Sequence, residues 1–145
     1  PGGPGQGSIT GLFSVLVEGD DMNEPISDAV RGIIDGHIVM ERAIADRGRY
    51  PAINVLKSVS RALPRALTDQ QNAILKRAKQ VVSTYEDMAE LIRLGAYRKG
   101  SDAKVDEAIR LYPQMEDFLA QNKDDRTGVQ DSFNRLAAIL GMAHG

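Results

Sequence analysis

Apolar residues at Ile74, Leu75, Ala78, Val81, Val82, Tyr85, Met88, Leu91 and Ile92 recur at helical spacing. They define one face of a long helix, and a helix with one apolar face must bury it against other elements. Thr68 and Gln71 stand at its start in capping-box form, each side chain placed to satisfy an orphan backbone N–H. Gly95 and Gly100 bracket a break. A second helix carries Val105, Ile109, Tyr112, Met115, Phe118 and Leu119. A third opens at Thr127 with Gln130, again in capping-box form, and carries Val129, Phe133, Leu136 and Leu140 before Gly141. Short loops between amphipathic helices predict antiparallel neighbours in a small bundle.

Upstream of Thr68 the pattern changes. Ile9 to Val17 is rich in β-branched and aromatic residues. Its nearly continuous apolar character predicts a strand buried on both faces, as in a parallel sheet. An acidic loop follows from Glu18 to Pro25. Asn23 and Pro25 signal the start of a short helix through Ala29, Val30 and Ile33. Asp35-Gly36 is a turn signal. His37 to Met40 reads as a short buried strand, and Glu41 to Arg47 as a brief helix ended by Gly48. Tyr50 to Val55 is a third extended segment, because the residue before Pro51 is driven out of the α region. Strands alternating with short helices predict an α/β layer. The segment from Gly48 to Arg61 therefore joins two architectures.

The bulk properties exclude several classes. The chain has 145 residues, suited to about one domain. Its net charge of −2 carries no basic excess, so no nucleic-acid partner is expected. It contains no cysteine, hence no disulfide framework and no thiolate metal site. His37 and His144 lie far apart in the chain, with no histidine–carboxylate cluster at ligand spacing, so no metal site is expected. No apolar run approaches the roughly 20 residues that span a bilayer, and no signal-peptide pattern is present. The glycine- and proline-rich opening, Pro1 to Gly7, is a loop composition that leads straight into the first strand. A strand so placed needs neighbours that the rest of this sequence supplies poorly, which reads as a piece of something larger.

Candidate chemistry is sparse. The phosphate-loop sequence Gly-x-x-x-x-Gly-Lys-Ser/Thr is missing, so the chain alone has no complete nucleotide site. Ser58 and Ser60 have no histidine nearby in sequence to activate them. The carboxylates at Glu18, Asp20, Asp21, Glu24 and Asp28 fit either a solvated loop at a helix N-terminus or a docking surface for a basic partner. Tyr50 fits either packing at a strand end or a flat face for stacking a base. Arg61 fits either a surface ion pair or an arginine that reaches a phosphate on a neighbouring subunit. The residues alone leave each pair open.

Four blocks bear a resemblance. Gly7-Ser8-Ile9-Thr10, Val15 through Pro25 (including Gly-Asp-Asp-Met-Asn-Glu-Pro), Ile34-Asp35-Gly36-His37-Ile38-Val39, and Tyr50 through Arg61 stand in the order found in type III secretion ATPases. Leu94 to Asp102 resembles the flagellar rather than the injectisome branch. The resemblance covers essentially the whole chain from about Gly2. It implies an α/β plus all-α fold, in which residues 1–65 are the C-terminal part of a RecA-like nucleotide-binding domain and residues 66–145 a helical domain. It implies an ATP hydrolase coupled to flagellar protein export, whose phosphate loop, catalytic glutamate and magnesium ligands lie upstream of Pro1. ATP and Mg2+ are then the cofactors, and this chain alone is expected to be inactive. Arg61 matches the arginine finger of the Ser-Val-Ser-Arg motif, acting on the adjacent subunit's nucleotide. Tyr50 matches the aromatic beside adenine in its own subunit. Asp20, Asp21 and Asn23 match a loop that touches a central stalk. The turn from Tyr97 to Asp102 falls where rotary relatives carry an acidic stalk-contacting segment, but here it holds Arg98 and Lys99. The implied partners are further copies in a homo-hexamer, a central-stalk protein, export chaperone–substrate complexes and a membrane export gate. The implied place is the cytoplasm, peripheral to the inner membrane. An injectisome ATPase, a non-catalytic ring subunit and a non-enzymatic helical interaction module stay open beside this reading.

Overall fold

The computed structural model describes residues 5, 7, 9–16 and 25–142. The chain divides into two compact units, Pro1–Ile33 and Ile34–Gly145.

In the first unit, residues 9–16 form no strand. Leu12, Phe13 and Leu16 are almost fully exposed. The expected buried strand is therefore corrected over these residues. A strand is made by its neighbours, and among the described residues none pairs with this one. Helix α1, Pro25–Ile33, starts at the predicted proline. Arg31 and Asp28 form an ion pair one turn apart on it.

The second unit begins with strand β1, Gly36–Met40, then helix α2, Arg42–Asp46, then strand β2, Ile53–Ser60. The strands pair antiparallel. The connection between them, residues 41–52, holds the five-residue helix α2 and reverses the direction of the chain. Only Val39 of β1 is buried, whereas Ile38 and Met40 are exposed. The "buried strand" reading of this run is thus corrected to a strand with one covered face. Likewise the third extended segment runs further than Val55, to Ser60. Gly36 is required where the strands meet: a Cβ there would lie 2.8 Å from the Val59 carbonyl oxygen. Gly48 ends α2 at φ 82°, a region that favours glycine.

Helices α3 (Asp69–Arg93), α4 (Ala103–Leu119) and α5 (Val129–Leu140) pack pairwise into a three-helix bundle. The predicted capping box at Thr68 and Gln71 forms in full. Asp102 caps α4 by accepting from the Lys104 and Val105 amides. At α5 the sequence reading is corrected: the N-cap is Gly128, with no side-chain cap, rather than Thr127. The core is Ile74, Ala78, Val81 and Val82 of α3, Ala108, Leu111 and Met115 of α4, and Leu136 and Ala137 of α5. Val55 and Leu56 of β2 pack against this same core, which fixes the hairpin to the bundle. Truncating Ile74, fully buried, to alanine would cost ~2–5 kcal/mol.

Candidate functional site

The two residues singled out from the sequence stand at opposite ends of β2. Tyr50 precedes the strand at the Met40–Ile53 end of the ladder, and Arg61 follows it at the Gly36–Ser60 end. Because β2 bulges, its two ends are only the four β1 steps from Gly36 to Met40 apart along the ladder, about 13 Å at about 3.3 Å per residue. They do not converge on one site.

Tyr50 is 60% exposed, so its ring is presented rather than packed. Its backbone, by contrast, is held from two sides. The Tyr50 carbonyl accepts from the Gln121 amide at 2.8 Å, just past the end of α4. Beside it, Arg49 is half-buried, with only 10% of its side chain exposed. The Arg49 guanidinium donates to the Ile53 carbonyl from both terminal nitrogens, each at 3.2 Å. Its Nε lies 3.1 Å from Glu116 Oε2 of α4, near enough for an ion pair but not aligned as a hydrogen bond. The aromatic is therefore mounted on a rigid base tied to the bundle.

Arg61 is exposed, and its backbone N–H donates to the Asp35 carbonyl at 2.8 Å. That bond anchors the chain where it leaves the ladder. Among the described residues no hydrogen bond joins Ser58 or Ser60 to a histidine. Ser58 Oγ instead donates to the Asn54 carbonyl at 2.6 Å and accepts from the Val39 amide at 3.0 Å. His37 is half-buried, its Nε2 3.2 Å from the Lys57 carbonyl oxygen, a structural contact. Asp20, Asp21 and Asn23 lie outside the described residues, as does His144.

A charged cluster missed at the sequence level lies between hairpin and bundle. Glu41 takes Lys57 Nζ at 2.6 Å and Asn54 Nδ2 at 3.0 Å. The hydrogen bond from Lys57, then that from Asn54, holds the Glu41 carboxyl below its ordinary range. The same Glu41 partner raises Lys57. Glu86 is exposed as a residue, yet local desolvation raises its carboxyl, opposed first by Arg47. Tyr112 stacks on Tyr85 with ring centroids 3.6 Å apart. Burial, then the Glu116 carboxylate, pushes the Tyr112 hydroxyl up to about 12. The sequence did carry one signal for this cluster: Asn54 is polar within the apolar run Ile53 to Leu56.

The turn from Tyr97 to Asp102 is closely organised. Tyr97 Oη donates toward the Asp102 carbonyl and Asp106 Oδ1, each at 3.0 Å, and accepts from the Asp102 amide at 3.2 Å. Asp106 Oδ2 also accepts from the Gly100 amide at 2.9 Å. Arg98 and Lys99 are left exposed at its tip.

No three histidine, aspartate or glutamate side chains among the described residues converge as a metal site. For a nucleotide the described residues offer an aromatic edge and an arginine, and no phosphate cradle. No helix among the described residues is long and apolar enough to cross a membrane.

Comparison with known proteins gives these features a setting. Residues 67–138 match the family model of the T3SS EscN ATPase C-terminal domain. Residues 2–60 match the nucleotide-binding domain of the ATP synthase alpha/beta family. The chain is 59% identical over 140 residues to the flagellum-specific ATP synthase of Caulobacter vibrioides, covering 97% of this chain and 32% of that protein. It is also similar to the assembled ATPase EscN of the enteropathogenic E. coli type III secretion system. There the TM-score is 0.82 at 33% identity, covering 87% of this chain and 31% of that one. EscN in complex with its central stalk EscO matches with a TM-score of 0.75 at 32% identity, over 80% of this chain and 29% of that one. The chain thus spans about a third of the length of the curated relatives it matches.

Proposed function

We propose, from the premise that this chain belongs to the type III secretion ATPase family, that it is part of an ATP-hydrolysing subunit that drives flagellar protein export. Residues 1–65 complete the nucleotide-binding domain and residues 66–145 form the C-terminal helical domain. One observation supports the assignment of its residues: an exposed aromatic precedes β2 at one end of the ladder and an exposed arginine follows it at the other. Placement at opposite ends of the ladder suits two nucleotide sites in a ring. Tyr50 flanks the adenine of its own subunit. Arg61 reaches across the interface to the terminal phosphate held by the next copy, where a guanidinium offers forked donors to developing negative charge.

The phosphates and Mg2+ are held by other residues of the full-length subunit, so this chain alone is expected to be inactive. Copies assemble as a homo-hexamer around a central stalk, with Asp20, Asp21 and Asn23 on the stalk-contacting loop. The helical domain meets chaperone–substrate complexes at the membrane export gate, on the cytoplasmic side. Supporting the ring and stalk are the assembled state of the similar EscN and its complex with EscO. The flagellar assignment is favoured over an injectisome one by the 59% identity to a flagellum-specific ATP synthase.

The test uses the full-length enzyme. Arg61→Ala should fold and bind nucleotide while losing hydrolysis by about 10³-fold or more, the lower range for such fingers. Tyr50→Ala should weaken nucleotide binding more than it slows turnover of the bound state. Normal turnover in the Arg61 variant, or an unchanged nucleotide Kd in the Tyr50 variant, refutes the respective role.

A further inference from the structure

The two strands do not pair residue for residue. His37 faces Val59, and Val39 faces Asn54, so two steps along β1 span five along β2. The surplus residues bulge from β2, and the bulge is what turns Val55 and Leu56 onto the helical core. Asn54 closes it. Its Oδ1 accepts from the Leu56 amide at 2.9 Å and the Lys57 amide at 3.0 Å. Its Nδ2 donates to Glu41 Oε2 at 3.0 Å. Its carbonyl accepts from Ser58 Oγ, which in turn accepts from Val39 N–H, pinning the far side of the bulge to β1. Asn54 is the buried polar residue of the described core, 7% exposed, and these bonds use both ends of its amide. Beyond the bulge the ladder resumes at Val59, and Arg61 leaves it one residue after Ser60.

We propose that Asn54 is a positioning residue for Arg61: by fixing the size of the bulge, it fixes the register at which Arg61 emerges. This rests on the role given to Arg61 above. Register matters here because a slip of one residue moves a side chain by about 3.3 Å and turns it to the opposite face of the strand. Asparagine suits the position for a chemical reason. The amide end must donate to Glu41 while the carbonyl end accepts two backbone N–H groups. Aspartate would keep the acceptor but set a second carboxylate against Glu41. Leucine would keep the volume and lose all three bonds.

The experiment compares full-length variants by kcat, KM, nucleotide Kd and thermal melting. Asn54→Asp should lower kcat about 10–100-fold, since misplacement by ~1 Å can cost 10²-fold. Nucleotide Kd should stay within about twofold, because Tyr50 lies on the other side of the bulge. The double variant Asn54→Asp, Glu41→Gln exchanges donor and acceptor across the same contact and should recover most of the lost kcat. A folded Asn54→Asp enzyme with unchanged kcat overturns the proposal. So does a loss in which kcat and affinity fall together without rescue by Glu41→Gln. Should Asn54→Asp fail to fold, Ser58→Ala keeps the asparagine and removes the pin to β1. It should show the same split of kcat from Kd, and full activity there overturns the proposal. Arg61→Ala run alongside separates the two readings. If Arg61→Ala is inert and Asn54→Asp is fully active, only the positioning role fails. If Arg61→Ala itself turns over normally, the finger role has failed first.

Discussion

Replacing Arg49 tests whether the hairpin is mounted on the helical bundle through its guanidinium. Arg49→Met keeps most of the aliphatic stem and removes only the charged head, so packing loss is small. The head makes one shared, charge-assisted contact with the Ile53 carbonyl at 3.2 Å, with a longer approach to the Pro51 carbonyl at 3.5 Å. Hydrogen bonds from a charged group contribute about 1.5–3 kcal/mol each. The Glu116 partner is 31% exposed and the Nε contact is poorly aligned, so the ion pair adds no more than about 1 kcal/mol. Against these stands the cost of burying an Nε–H without a hydrogen bond, about 1 kcal/mol at the low end. The balance is a loss of about 2 kcal/mol on Arg49→Met, or a fall of roughly 6 °C in Tm for a unit of this size.

Urea and thermal denaturation measure that loss. A double-mutant cycle with Glu116→Gln isolates the ion pair, whose coupling should be no more than about 1 kcal/mol. Arg49→Lys should recover less than half of the stability, because an ammonium cannot span a carbonyl and a carboxylate as a planar fork does. Hydrogen exchange at the Gln121 amide gives a local readout, since it donates to the Tyr50 carbonyl on the same mount. Its protection should fall in Arg49→Met more than that of amides in the middle of α3. An Arg49→Met protein within about 0.5 kcal/mol of the parent, with Gln121 protection unchanged, would refute the reasoning.

Three further outcomes follow from the geometry. Glu41 has a folded-state pKa below its ordinary value, chiefly through Lys57, so its stabilisation is present above the unfolded pKa and lost as pH falls through the folded one; the destabilisation caused by Glu41→Gln should therefore shrink in acid, and a pH-independent difference in denaturation midpoint would contradict it. Tyr97→Phe removes the hydroxyl that bridges Asp102 and Asp106, and amide exchange at Gly100 should quicken; unchanged exchange would show that Asp106 alone orders the turn. The chain by itself should self-associate in analytical ultracentrifugation, because Leu12, Phe13 and Leu16 in one unit and Ile38 and Met40 in the other are exposed; a monomer at high concentration would count against it.

What was legible in the sequence follows from how local each signal is. The helices of the bundle could be read because their period, the capping box at Thr68 and the glycines at Gly95 and Gly141 are all properties of short windows. The exception, Thr127, shows the limit: Thr-x-x-Gln permits a capping box, but the chain entering α5 places Gly128 at the cap instead. The run from Ile9 to Leu16 failed for a different reason. Apolar composition reports that a segment is fit to be buried; it cannot supply the strands that would bury it, and these are not among the described residues. The direction of the hairpin was likewise hidden, since a short apolar run gives no sign of whether its neighbour is parallel or antiparallel.

The site was legible unevenly. Tyr50 and Arg61 stand out by their chemistry, but packing and a surface ion pair explain them as well, and only the resemblance gives them their proposed roles. Asn54 and Arg49 went unremarked, although they determine where those two residues stand. Both are polar residues inside or beside an apolar run, and their value lies in partners 13 and 67 positions away, Glu41 and Glu116. Such partners become neighbours only after the hairpin docks on the bundle. That docking has a mechanical consequence. Val55 and Leu56 lie in the helical core, while the same strand carries Tyr50 at one end and Arg61 at the other. On the proposed reading, a displacement of the bundle is transmitted to both ends of β2 at once, through the Arg49–Glu116 and Tyr50–Gln121 contacts on one side and the Asn54 bulge on the other. Force at the helical domain and the state of two nucleotide sites are then linked through eight residues of strand.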